Sequence, residues 1–203
     1  MHLSLSALLG LAALSAQVQG HGQVTKPKAR LPGDATAAVC GKTLVKFYQA
    51  DETSYPEALM RANPKGLDSA YDAKKCNLYF CKGFQFDDNK DHVLQYTPGQ
   101  TVDLEVYIRI PHKGYANVSV VDLASNSVIG APLKTWADNY AATMSPPKDQ
   151  TSFSVKIPEL AGKCTKPNEC VSWVVSLHRA QRYNKLTTSL GPAVVLVWAR
   201  ADV

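Results

Sequence analysis

Thr101-Val102-Asp103-Leu104-Glu105-Val106-Tyr107-Ile108-Arg109-Ile110 places an apolar side chain at every second position, with a polar or aromatic residue between most of them. Successive side chains of a β-strand point to opposite faces, so a period of two marks a strand with one face in a core. The turn signal Tyr96-Thr97-Pro98-Gly99-Gln100 precedes the run, and Pro111 ends it. Working outward, Ala116–Asp122, Ser127–Leu133 and Thr151–Ile157 read as further short strands between Asn, Gly and Pro clusters. That spacing predicts an all-β domain, a β-sandwich, in which His112 occupies the loop between the first two of these strands. Loops at the ends of a rigid sandwich are where binding residues are presented.

Upstream, HGQVTKPKARLPGDATAA (21–38) is rich in Pro, Gly and basic residues and predicts an extended surface segment, since Pro27 and Pro32 forbid a helix interior. Residues 54–73 allow a short helix or two, interrupted at Asn63-Pro64 and Gly66. Met1–Gly20 carries no Asp, Glu, Lys or Arg, holds an apolar run from Leu3 to Leu14 and ends in Val18-Gln19-Gly20, the pattern of a secretory signal. Its apolar run is shorter than the roughly 20 residues of a membrane span, so the expectation is a soluble extracellular protein without one. Cleavage after Gly20 would make His21 the first residue.

The net charge of +5 is spread without a basic block, which argues against a nucleic-acid partner. All five cysteines follow residue 20. In an oxidising compartment they predict two disulfides and one leftover thiol. Spacing suggests that Cys76 pairs with Cys81 and Cys164 with Cys170, leaving Cys40 alone.

An N-terminal histidine offers a metal two nitrogens, its α-amine and ring Nδ1. The amine titrates near ~8, far below a lysine, and yields its proton to a metal at modest cost. A second imidazole, from His112, completes a set of three nitrogens, and such a set favours copper. Each histidine also has a bland reading, His21 as an accidental first residue and His112 as a solvated loop side chain. His92 has no evident partner and is expected to face solvent. Asp87, Asp88 and Asp91 lack the Gly and distal Glu of a calcium loop and read as a solvated turn. A hydrolytic carboxylate pair is not visible in sequence, because such pairs meet only in the fold. No Gly-rich phosphate loop or Gly-x-Ser-x-Gly elbow is present. Asn117-Val118-Ser119 is an N-glycosylation sequon.

The segment His21–Arg30, with Pro32-Gly33 and Val39-Cys40-Gly41, resembles the mature start of fungal lytic polysaccharide monooxygenases. Gly83–Asn89 and Pro111–Asp122 strengthen the likeness, which is greatest to auxiliary-activity family sixteen and runs to about Cys170. The resemblance implies an immunoglobulin- or fibronectin-like sandwich whose flat face carries a copper ion between His21 and His112 as the catalytic, metal-binding pair. It also implies oxidative cleavage of a polysaccharide, cellulose or a related β-glucan, by a monomer supplied by an external electron donor. Tyr115, Trp136 and Tyr140 would be its sugar contacts, each equally readable as core.

After Cys170 the family pattern continues with a tryptophan-rich strand, a Gln-Thr-Tyr whose tyrosine lies axial to copper, and another cysteine. Residues 171–203 contain none of these. They read as an atypical tail, with the last strand missing or altered, following a copper-binding domain at 21–170. Val171-Ser172 can be encoded by a splice donor, and Ala193–Val203, read one nucleotide later, can spell a strand like the missing one, so the tail is read as a translated intron. Copper binding would then outlast catalysis. Two rival readings are a non-catalytic copper protein of the cell surface and a metal-free carbohydrate-binding protein.

Overall fold

The computed structural model describes residues 21–178 and 194–198, with side chains as far as 171. Met1–Gly20, read from the sequence as a secretory signal, lies outside the described residues. In chain order the elements are β1 (His21–Lys26), α1 (Asp34–Cys40), α2 (Lys42–Ala50), α3 (Pro56–Ala62), β2 (Thr101–Ile110), β3 (Gly114–Asp122), β4 (Ser127–Tyr140), α4 (Lys148–Thr151), β5 (Ser152–Lys156), β6 (Cys170–His178) and β7 (Val194–Trp198). They form two antiparallel sheets, ordered β1-β2-β5 and β4-β3-β6-β7. This is the β-sandwich with short helices that the alternating runs predict.

The period-two run lies on β2 with the predicted bounds, and its Val102, Leu104 and Val106 are buried. They pack with Val24 of β1, Phe153 and Val155 of β5, and Val118 of the opposite sheet. Burying one such side chain contributes about 1.5–3 kcal/mol, so the alternation alone commits this face to the interior. The strand over Ser127–Leu133 continues to Tyr140.

The segment after Cys170 departs from expectation. Nine residues of β6 pair with β3 from Asp122↔Cys170 to Gly114↔His178, and β7 pairs with β6. A backbone strand therefore forms where the sequence suggested a missing or altered one. Val171, buried at its start, is a β-branched residue of the kind that suits a central strand.

The 21–38 segment is only partly extended, because α1 begins at Asp34, directly after Pro32-Gly33. Its cap comes from far along the chain. Asp88 accepts hydrogen bonds from the amides of Gly33 (2.9 Å), Ala35 (2.8 Å) and Thr36 (2.7 Å), and from Thr36 Oγ1 (2.6 Å). Asp68 caps α2 in the same way through the amide and hydroxyl of Thr43. Each cap leaves no room for a side chain: a Cβ on Gly33 or Gly41 would lie 2.6 Å from the Asp88 or Asp68 carboxylate. Helix starts expose unpaired N–H groups and favour negative charge, which is why carboxylates supplied from a distance can hold these short helices. The acidic loop read as a solvated turn is thus a structural clamp at Asp88.

The helices enclose a second core of Leu44, Val45, Tyr48, Leu59, Leu78 and Phe84 around a disulfide. That disulfide joins Cys40 to Cys76, across 36 residues. It corrects the Cys76–Cys81 pairing, and Cys81 is the buried free thiol. Sequence proximity misled here, because Cys76 and Cys81 serve different layers: Cys81 packs against Val121 and Val171. The Cys164–Cys170 disulfide forms as expected.

Burial raises the Asp88 pKa, but the hydrogen bonds from Thr36, Ala35 and Gly33 outweigh it and hold the group below the ordinary carboxylate value. Its stabilisation is therefore complete above the unfolded pKa and is lost as pH falls through the lower folded one. Asp88→Ala should lower unfolding free energy by about 2 kcal/mol at pH 7, and by much less near pH 2, in paired denaturant titrations. Peptide mapping of unreduced protein should recover Cys40–Cys76 and Cys164–Cys170, with Cys81 alkylated only after unfolding. Loss of the longer bridge in Cys40→Ala should cost about 3–4 kcal/mol by loop entropy.

Candidate functional site

β1 lies antiparallel on β2 with His21 opposite Ile110, Gly22 opposite Ile108 and Gln23 opposite Tyr107. Two residues of β1 thus span three of β2, and Arg109 is the extra residue of a bulge. Bulges re-aim side chains beside functional sites. His112 follows Ile110 by two residues, in the connection to β3, so this register brings the two predicted metal ligands to the same end of the β1-β2 pair.

Gly22 makes the approach possible. A Cβ there would lie 2.2 Å from the Tyr107 carbonyl oxygen, a backbone atom that cannot swing away. Close passage of one backbone by another is where glycine is required in a strand.

A second contact orients His21. Its ring packs on Tyr55, with centroids 5.6 Å apart and planes tilted by 39°. Tyr55 is buried, its hydroxyl accepts a hydrogen bond from Arg61, and the Arg61 guanidinium lies 5.3 Å from its ring. The loop that carries Tyr55 is anchored to the bulge: Arg109 pairs with Asp51 at 2.5 Å and donates to Thr53 Oγ1 at 3.2 Å. Burial pushes Asp51 up, but hydrogen bonds from Thr53 and Arg109 together with the Arg109 charge prevail and leave its carboxyl below the ordinary value. The chain Arg109–Asp51–Thr53–Tyr55–His21 was not visible in sequence, where the members are dispersed and no local motif joins them.

The remaining predicted residues fall apart from one another in role. Tyr115 is half-buried, and its hydroxyl accepts from Asn117 Nδ2 at 3.1 Å. Asn117 itself lies in β3 between β4 and β6, and its Oδ1 accepts from Ser119. Trp136 is half-buried, lying edge-on to Phe153 at 4.8 Å and 5.0 Å from Tyr140, while Nε1 donates to Asp149. Tyr140 corrects the expectation of a sugar contact: it is buried, and its hydroxyl donates to the Gln150 carbonyl. An aromatic near a strand end reads alike in sequence whether it faces polymer or core. His92 is likewise not solvent-facing; it is half-buried, with Nε2 3.4 Å from Lys28 Nζ.

Among the described residues no group of three or more His, Cys, Asp and Glu side chains could hold a metal ion. A metal bound by His21 and His112 therefore needs a third donor of another kind. The free α-amine of His21 is such a donor when the chain begins there, and two imidazoles with an amine form a nitrogen-only set that suits copper.

No family model matches the sequence, and no curated protein matches it. Among solved structures, the chain is similar to a chitin binding domain from Burkholderia pseudomallei, at 12% identity and a TM-score of 0.43, over 89% of this chain and 98% of that one. It is also similar to the cellulose-active LPMO CelS2 in complex with copper, at 15% identity and a TM-score of 0.38, over 90% of this chain and 100% of that one. Likenesses of this size assign no function.

Gly22→Ala should force β1 off β2. We expect a loss of about 2 kcal/mol or more in denaturant unfolding and faster amide exchange over 21–26. Stability within 0.5 kcal/mol (~) of wild type would show that the close approach at Tyr107 is not needed.

Proposed function

We propose that the chain is cleaved after Gly20 and secreted, that His21 and His112 then hold one copper ion, and that the protein cleaves cellulose or a related β-glucan oxidatively with an external electron donor. The observation that carries this reading is the register of β1 on β2, which sets the first residue of the cleaved chain two positions from His112 across a strand pair. The resemblance of 21–41, 83–89 and 111–122 to lytic polysaccharide monooxygenases supplies the reaction class.

Copper, when bound, supplies one-electron chemistry toward dioxygen or hydrogen peroxide. The chain's own residues do the rest. The His21 α-amine gives up its proton to become a ligand, and its ring offers a second nitrogen without further cost in chain entropy, since both belong to one residue. Tyr55 limits rotation of that ring. Gly22 lets the terminal residue approach β2 closely, and the Arg109–Asp51 pair holds the neighbouring loop in register with it. Tyr115 and the half-buried Trp136 are the aromatic groups offered for sugar contact.

The tail after Cys170 favours a second reading. It lacks the Gln-Thr-Tyr of the family pattern, so the same site would bind copper with little or no turnover. Isothermal titration of copper into the chain beginning at His21 should give one site per molecule. His112→Ala should weaken it at least tenfold (~), and so should a chain with one residue left before His21. Incubation with reductant and cellulose then separates the readings. Oxidised oligosaccharides support the enzyme, copper without products supports the carrier, and the absence of stoichiometric copper binding overturns both.

A further inference from the structure

Asn117-Val118-Ser119 is the one Asn-x-Ser or Asn-x-Thr triplet in the chain, and the copper reading leaves it without a role. The structure sets it on β3, the strand between β4 and β6. Successive side chains alternate between the two faces of a strand. Ala116, Val118 and Val120 are buried, and Val118 belongs to the sandwich core, so Tyr115, Asn117 and Ser119 lie on the opposite face.

That face changes character along the strand. At Val121 it is apolar and covered, with Cys81, Val171 and Phe80 packed together there. Towards Tyr115 it turns polar. Ser119 Oγ donates to Asn117 Oδ1 at 2.9 Å, and Asn117 Nδ2 donates to Tyr115 Oη at 3.1 Å. Asn117 is half-buried, and Thr135, its partner on β4, is exposed. Hydroxyls and an amide beside an exposed neighbour are the composition of a sheet face turned to water. The Asn117 amide is therefore held at a surface and belongs to neither core.

We propose that Asn117 carries an N-linked glycan on the outer face of the four-stranded sheet, with its first sugar beside Tyr115. The proposal rests on the reading that the chain is secreted, because the transferase and its sugar donor lie in the secretory pathway. Asn117 Nδ2 attacks the anomeric carbon of an oligosaccharide joined to a lipid diphosphate. The carbon–nitrogen bond forms, the carbon–oxygen bond to phosphate breaks, Nδ2 loses one proton, and the lipid diphosphate departs. The substituted amide keeps its carbonyl and one N–H, the two groups that Ser119 and Tyr115 engage. Attachment precedes folding, so the burial of Ser119 in the finished sheet does not oppose it. The sugar that Tyr115 first meets is then the chain's own.

Expression of the whole chain in a glycosylating eukaryotic host tests this. The secreted protein should lose mass on treatment with peptide N-glycosidase, and the tryptic peptide 114–134 should then carry aspartate at 117. Digestion in heavy-oxygen water should label that aspartate. Asn117→Gln keeps an amide for Ser119 and Tyr115 and should abolish the mass loss. Ser119→Ala keeps the acceptor but breaks the triplet, and should abolish it as well. Iodination of Tyr115 in the folded protein should quicken once the glycan is removed, and an equal rate overturns its placement beside the ring. Protein secreted with Asn117 unmodified overturns the proposal and leaves the secretion reading standing. A chain kept in the cytosol with residues 1–20 attached and no glycan overturns the secretion reading, and the glycan with it.

Discussion

The pairing of β1 with β2 is the constraint on which the candidate site depends. Backbone hydrogen bonds between two antiparallel strands leave little freedom along the strand, because a slip of one residue would turn Val24 out of the core. The bulge at Arg109 and the bare backbone of Gly22 modify that pairing at its end. His21 is therefore aligned by main-chain geometry and by burial three residues away, rather than by its own side-chain contacts alone.

The helical layer adds a second level of control through charges supplied at long range. Asp88 and Asp68 cap α1 and α2 from segments 52 and 25 residues beyond their amide partners at Thr36 and Thr43. Arg109 ties Asp51 to the β2 bulge. These carboxylates bind different segments of the chain together and leave the helices dependent on the sandwich. A short helix has too few internal bonds to stand alone, so external caps decide whether it forms. Tyr55 reaches His21 because that layer is anchored in this way.

Two cores meet at the 81–84 turn. The sandwich core is mostly aliphatic around Phe153, whereas the helical core contains a disulfide and the aromatic rings of Tyr48 and Phe84. Cys81 faces Val121 and Val171 of the larger sheet, while its neighbour Lys82 is buried against Tyr48. The positive φ of Cys81 and Lys82 turns the chain sharply enough to serve both layers. Buried cations collect at this junction because backbone carbonyls such as those of Glu52 and Phe84 are available there as acceptors.

Sequence by itself determined the strand class and the sandwich architecture. The alternation over 101–110, the breaks at Pro98-Gly99 and Pro111, and the runs near 116, 127 and 151 are local signals of solvent and core faces, and these decide β structure. It also marked the Cys164–Cys170 pair, which depends on near neighbours alone, and named His21 and His112 as candidate ligands from residue type. Tertiary structure decided the rest. The Cys40–Cys76 bridge, the Asp88 and Asp68 caps, the burial of Tyr140, the strand at 170–178 and the contact of Tyr55 with His21 all join segments distant in the chain. Such contacts leave no periodic trace, because only the summed packing of two layers brings their members within reach of one another.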